Sequence, residues 1–94
     1  MARRNIEGMR SLVTGASSGI GRAVALELAS RGAHCVLLAR NEERLKDVAA
    51  ECNVAQQGGQ VEIVSGDVTD PSVRKLAIEK SVIAFGGLDA VCLL

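Results

Sequence analysis

The sequence predicts an α/β fold built on a doubly wound parallel sheet, and three observations predict it. Short apolar or β-prone runs alternate with stretches of helical periodicity, in the order strand, helix, strand, helix, strand, helix, strand, which is how a parallel sheet is laid down through crossover helices. The second of these runs is apolar without interruption, as a strand covered on both faces should be. A glycine cluster falls between the first strand and the first helix, where such a sheet makes its ligand-binding turn. The strand order expected is 3-2-1-4, with the ligand near the carboxyl ends of strands one and four, where the winding reverses.

Each element has its own local reason. Arg10 to Thr14 is short, β-prone and followed at once by Gly15, so it reads as a strand running into a turn. From Gly19 to Arg31, Ile20, Val24 and Leu28 recur every four positions, while Ala23, Ala25 and Ala29 add helix propensity; Gly32 stands where the helix should stop. His34 to Ala39, with Cys35 to Leu38 at its centre, is the uninterrupted apolar strand. Asn41 is a suitable N-cap, Glu42 and Glu43 suit the positive end of the helix dipole, and Leu45, Val48, Ala49 and Cys52 form one face of a helix running to about Gln56. After Gly58 and Gly59, Val61 to Val64 gives a third strand, and Asp70-Pro71 opens a third helix that runs to about Phe85. Gly86 and Gly87 end it, and Leu88 to Leu94 reads as a fourth strand.

Composition narrows the function classes. The chain has 94 residues, against the roughly 100 to 200 of a typical domain, so it holds one domain or part of one. A hydrophobic share of 48% with 23% charged residues is that of a globular chain. The formal net charge of zero supplies no basic field for nucleic acid and no polybasic patch for anionic lipid; Arg3 and Arg4 are read as a solvated tail. Cys35, Cys52 and Cys92 are odd in number and lack a C-x-x-C spacing, so neither a disulfide framework nor a metal site is expected, and each is read as a small core hydrophobe. No apolar stretch reaches the ~18 residues of a membrane span and no signal segment opens the chain, so the expected location is cytoplasmic. Aromatic residues amount to Phe85 alone, with no tyrosine or tryptophan.

The chemistry sits in the glycine turn. Thr14-Gly15-Ala16-Ser17-Ser18-Gly19-Ile20-Gly21 carries glycines in a G-x-x-x-G-x-G pattern. Gly15 can supply the tight turn, Gly19 lets backbone approach a pyrophosphate, and Gly21 lets the helix pack closely on the sheet. The helix start then offers unpaired N–H groups and partial positive charge to phosphates. About 20 residues on, at the end of the second strand, an acid would suit the ribose 2′-OH of NAD and an arginine the 2′-phosphate of NADP. This chain has Arg40 there, so NADP(H) is favoured over NAD(H); the bland alternative is a solvated loop charge paired with Glu42 or Glu43.

These residues resemble the classical short-chain dehydrogenase/reductase family over nearly the whole chain. Thr14 to Gly21 is similar to that family's T-G-x-x-x-G-I-G signature, and Arg40 to Leu45 to the stretch after the second strand in its NADP-preferring members. The resemblance implies a partial Rossmann-type sheet of about four strands and three helices over residues 1–94, forming the N-terminal, cofactor-binding half of the domain. Gly66-Asp67-Val68-Thr69-Asp70 is similar to the family's D-V end of the third strand, which implies adenine contacts from Asp67 and the backbone at Val68. The site residues expected to bind the dinucleotide are therefore Gly15, Ser17, Ser18, Gly19, Ile20, Gly21, Arg40, Asp67 and Val68. Where some NADP-preferring members carry a basic residue before the second motif glycine, this chain has Ser18, so a hydroxyl of Ser17 or Ser18 is expected to assist Arg40.

The same comparison assigns no catalytic residue. In the family the fourth strand runs into N-N-A-G, followed by a catalytic serine and a Y-x-x-x-K pair; this chain reads Cys92-Leu93-Leu94, contains no tyrosine, and is expected to be truncated at the fourth strand. A tyrosine general acid/base with a lysine that lowers its pKa is the group such chemistry needs. His34, at the start of the second strand, lies at the wrong end to replace it, and Lys75 and Lys80 are read as solvated charges. The expectation is the NADP(H)-binding portion of an oxidoreductase that moves hydride to or from a carbonyl or alcohol. The alternative is a non-catalytic binding or regulatory module pairing with a full-length reductase, since a fourth strand left as a sheet edge offers a route to association.

Overall fold

Strand and helix alternate along the chain as the sequence predicts. The computed structural model describes residues 6–17, 19–56 and 58–93; Arg3, Arg4, Ser18 and Leu94 lie outside the described residues. The elements are β1 (Arg10–Thr14), α1 (Gly19–Ser30), β2 (His34–Ala39), α2 (Glu42–Ala55), β3 (Val61–Ser65), α3 (Pro71–Phe85) and β4 (Ala90–Cys92). The four strands form one parallel sheet in the order β3-β2-β1-β4, the order expected.

Local chemistry sets the helix ends. The Asn41 side chain accepts the Arg44 N–H at 3.0 Å at the start of α2, and Asp70 accepts the Ser72 N–H at 2.9 Å at the start of α3, where Pro71 needs no partner for a missing N–H. At the end of α1 the Gly32 N–H donates to Ala29 and the Ala33 N–H to Leu28, with Gly32 at a φ of 86°. That left-handed turn stops the helix at Ser30, one residue before the expected end.

Two cores flank the sheet. On one face Val13, Cys35, Leu37 and Ala39 meet Ala25 and Ala29 of α1 and Leu45, Val48 and Cys52 of α2. On the other, Leu12, Val36, Leu38 and Val64 meet Ala77 of α3, with Val73, Phe85 and Leu88 packed alongside. Strand side chains alternate between faces, so β2 buries Cys35 to Leu38 on both sides at once, as its unbroken apolar run implies. The His34 ring lies at the amino end of β2, accepting the Gln60 N–H at 2.9 Å and stacking on Phe85 with centroids 5.0 Å apart.

Three expectations need correction. The buried stripe of α1 is Gly21, Ala25 and Ala29, and Ile20 is 73% exposed. Small side chains face the sheet so that the helix can approach it, while Val24 and Leu28 pack at the flank of the same core. β4 pairs with β1 over three residues, Ala90–Cys92, and just before it the Asp89 N–H donates to the Arg10 carbonyl at 2.8 Å while its carboxylate receives the Arg10 backbone N–H and guanidinium. Lys80 is not simply solvated; it is half-buried and its Nζ donates to the Ile63 carbonyl at 3.2 Å, tying α3 to β3. The outward side of α3 is uncovered among the described residues, with Leu76, Ile78, Val82 and Ile83 exposed.

Leu37, with no exposed surface, and Ile83, 86% exposed, give a direct check of this layering. Leu37→Ala should cost about 2–5 kcal/mol in urea denaturation, through lost transfer energy and a cavity, whereas Ile83→Ala should stay within about 0.5 kcal/mol. Equal losses would contradict the placement of the core.

Candidate functional site

The carboxyl ends of β1, β2 and β3 open into one cleft of about 280 Å³, lined by Gly15, Ser17, Leu38, Ala39, Arg40, Gly66 and Val68. One wall is the glycine turn. β1 delivers the chain to Gly15 at a φ of 62°, and the turn is pinned to the neighbouring strand by the Ala16 N–H donating to the Leu38 carbonyl at 3.3 Å. Ala16 is fully buried and Ser17 is half-buried beside the cleft. Thr14, buried at the end of β1, donates its hydroxyl to the Cys92 carbonyl at 3.2 Å, which fastens the base of the turn to β4.

The glycines divide the work. A Cβ on Gly21 would lie 2.0 Å from the Gly15 carbonyl oxygen, so the first turn of α1 rests directly on the glycine turn. Gly21 thus permits contact with the turn itself, rather than with the sheet as expected. Gly19 opens α1 at a φ of 59°, and its Cβ position faces open space, with no atom within 4 Å. The first turn of α1 carries no acidic residue of its own, and its Arg22 pairs with Glu51 of α2. Ile20 follows with its side chain turned outward, and Ser18 lies outside the described residues.

The opposite wall carries the charge. Arg40 leaves β2 just before the Asn41 cap, with its side chain 77% exposed, and donates from Nη2 to Asp67 Oδ2 at 2.9 Å. The partners weighed from sequence, Glu42 and Glu43, do not take it; Glu42 instead meets Lys46 at 3.8 Å along α2. The other Asp67 oxygen accepts the Thr69 hydroxyl at 2.7 Å and the Thr69 N–H at 2.8 Å. Those two bonds, with the charge of Arg40 added, hold the Asp67 carboxyl below the usual carboxylate range. The backbone around it is held as well: the Gly66 N–H donates to Ala39 at 2.9 Å, the Asp70 N–H to Asp67 at 3.0 Å, and Arg74 Nη1 to the Val68 carbonyl at 2.9 Å.

The structure therefore gathers Gly15, Ser17, Arg40 and Val68 in one cleft, adds Asp67 through its ion pair, and sets Gly19 and Gly21 at the adjoining helix start. The Arg40–Asp67 pair is absent from the sequence reading. Strand pairing brings its members near each other: Ala39 lies opposite Ser65, Arg40 follows the first directly, and Asp67 follows the second by two residues. The Cys35 and Cys52 thiols are core groups, as burial pushes Cys35 up and Cys52 to about 11, leaving little thiolate on either for nucleophilic work; Cys92 is partly buried. Among the described residues, no three His, Cys, Asp or Glu side chains cluster as a metal site, and no helix is long and apolar enough to cross a membrane.

The family model for short chain dehydrogenases matches residues 10–93. The chain is 48% identical over 68 residues to a fatty acyl-CoA reductase of Acinetobacter baylyi, covering 72% of this chain and 22% of that protein. It is 42% identical over 85 residues to the 11-beta-hydroxysteroid dehydrogenase-like 2 protein of Arabidopsis thaliana, covering 90% and 27%. The crystal structure of L-sorbose reductase from Gluconobacter frateurii, complexed with NADPH and L-sorbose, superposes with a TM-score of 0.85 at 38% identity, over 93% of this chain and 33% of that one. The chain thus spans about a quarter of the length of these two curated relatives.

The contact between Gly21 and Gly15 generates a prediction. Gly21→Ala should destabilise by about 1–3 kcal/mol, as overpacking against a fixed backbone does, and should shift the amide resonances of Gly15 and Ala16. Unchanged stability and an undisturbed turn would rule the contact out.

Proposed function

The chain belongs to the short-chain dehydrogenase family, and we propose that it is the NADP(H)-binding portion of an oxidoreductase, forming a single dinucleotide-binding unit. The observation that carries this reading is one cleft at the carboxyl ends of the strands with the glycine turn on one side and Arg40 on the other. A bound dinucleotide would supply hydride exchange with a carbonyl or alcohol. The residues here would bind and orient it. Gly15, Ser17, Ser18, Gly19, Ile20 and Gly21 would carry the pyrophosphate to the start of α1, whose own first turn holds no acidic residue and whose N-terminal N–H groups suit an anion. Asp67 and the backbone at Val68 would border the adenine.

Arg40 supports NADP(H) over NAD(H), because its guanidinium stands where an acid would serve a 2′-hydroxyl. The bound NADPH of the sorbose reductase is in keeping with that choice. In our reading these 94 residues bind the cofactor without turning it over. They contain no tyrosine, and their one imidazole, His34, is stacked on Phe85 at the far end of β2.

A second reading, a regulatory module that pairs with a full-length reductase, draws on the edge position of β4 and the exposure of Val91 and Leu93. Mixing the chain with a full-length member of the family should then give a complex in size-exclusion chromatography, and separate elution would end that reading.

Arg40→Ala should weaken NADPH binding on the order of tenfold or more, as loss of a charge-assisted hydrogen bond does, while NADH binding changes little. Isothermal titration of both cofactors measures this, and equal losses would refute the 2′-phosphate role. NADPH incubated with the protein and a panel of carbonyl compounds should remain unoxidised.

A further inference from the structure

We propose that Asp67 tunes cofactor choice by competing with a 2′-phosphate for Arg40, so that the site prefers the phosphorylated ligand less than Arg40 alone would make it. This rests on the reading of Arg40 given above and names the residue that sets its strength.

The two members of the pair are held very differently. One oxygen of Asp67 takes both the hydroxyl and the N–H of Thr69, and the carbonyl of Asp67 accepts the Asp70 N–H, so the carboxylate is anchored at the end of β3. Its second oxygen faces Arg40 at 2.9 Å. Arg40 has a long side chain, 77% exposed, and among the described residues its one ion pair is to Asp67. The carboxylate stays and the guanidinium is the part that can change partners.

Charge then gives the direction. Asp67 neutralises Arg40 at the rim of the cleft. A phosphate monoester brings a charge of about −1.5 to −2 at neutral pH, and it must either share the guanidinium with a fixed carboxylate a few ångströms away or displace it. Both routes penalise the 2′-phosphate and leave a 2′-hydroxyl nearly untouched. The pair lies in solvent, where such interactions are weak and screened, so Asp67 moderates the preference without abolishing it. The opposite role, in which Asp67 holds Arg40 in place for the phosphate, predicts the opposite sign.

The test uses 2′,5′-ADP and 5′-AMP, which present only the adenosine end and differ only in the 2′-phosphate, titrated calorimetrically into the protein and into Asp67→Asn, Arg40→Ala and the double variant. Asparagine keeps an acceptor for Thr69 while removing the charge; Asp67→Ser is measured beside it, so that a folding defect in one variant, seen by circular dichroism, leaves the other. The preference for 2′,5′-ADP over 5′-AMP should rise about two- to fivefold in Asp67→Asn, the scale of an exposed ion pair. With Arg40 already alanine the rise should be smaller, since only the direct repulsion between carboxylate and phosphate is then relieved. An unchanged or reduced preference in the Asp67 variants, while Arg40→Ala abolishes it, would overturn the competition alone. A preference that survives Arg40→Ala would overturn the reading of Arg40 and the competition with it.

Discussion

Burial of β2 on both faces is the constraint on which the rest of this structure depends. Cys35, Val36, Leu37 and Leu38 alternate between two cores and expose almost nothing, and a one-residue slip would exchange every side chain between those faces. Register with β1 and β3 is therefore tightly specified. That register leaves the Ala16 N–H on the Leu38 carbonyl and the Gly66 N–H on the Ala39 carbonyl, and it brings Arg40 within side-chain reach of Asp67. The site is thus assembled by core packing, since the groups at its rim are too exposed to position themselves.

The elements whose local rules agree with the fold were legible in the sequence. β1, β2 and α3 occupy the residues expected of them, and the caps at Asn41 and Asp70 bond as their side-chain types dictate. The strand order follows from the alternation of elements with the glycine turn after the first strand. What the sequence concealed are features decided between elements. The α1 stripe was misplaced because periodicity weighs Ile20, Val24 and Leu28 by hydrophobicity, whereas close approach selects by size, Ala25 and Ala29 against the sheet and Gly21 against the glycine turn. The start of β4 was set too early because an apolar run does not reveal that Asp89 will take up Arg10 before the ladder begins. The motif glycines and Arg40 were visible as residue types at a spacing, and Asp67 and Val68 only through the family resemblance; the Arg40–Asp67 pair was not visible, because 27 positions separate its members and strand pairing is what brings them together.

Two arginine–aspartate pairs sit at opposite ends of this sheet, and comparing them shows how one chemistry serves two purposes. At the amino ends of β1 and β4, both oxygens of Asp89 receive the Arg10 guanidinium, and one also takes its backbone N–H. That pair is locked into the main chain, and moving it would cost β4 its entry into the sheet. At the carboxyl ends of β2 and β3, Arg40 offers a single nitrogen to one oxygen of Asp67 and no backbone group joins them. Breaking this pair leaves every strand hydrogen bond in place. A contact that the fold does not need is one that a ligand can rearrange at small cost, and the strand ends facing the cleft hold the pair that meets that condition.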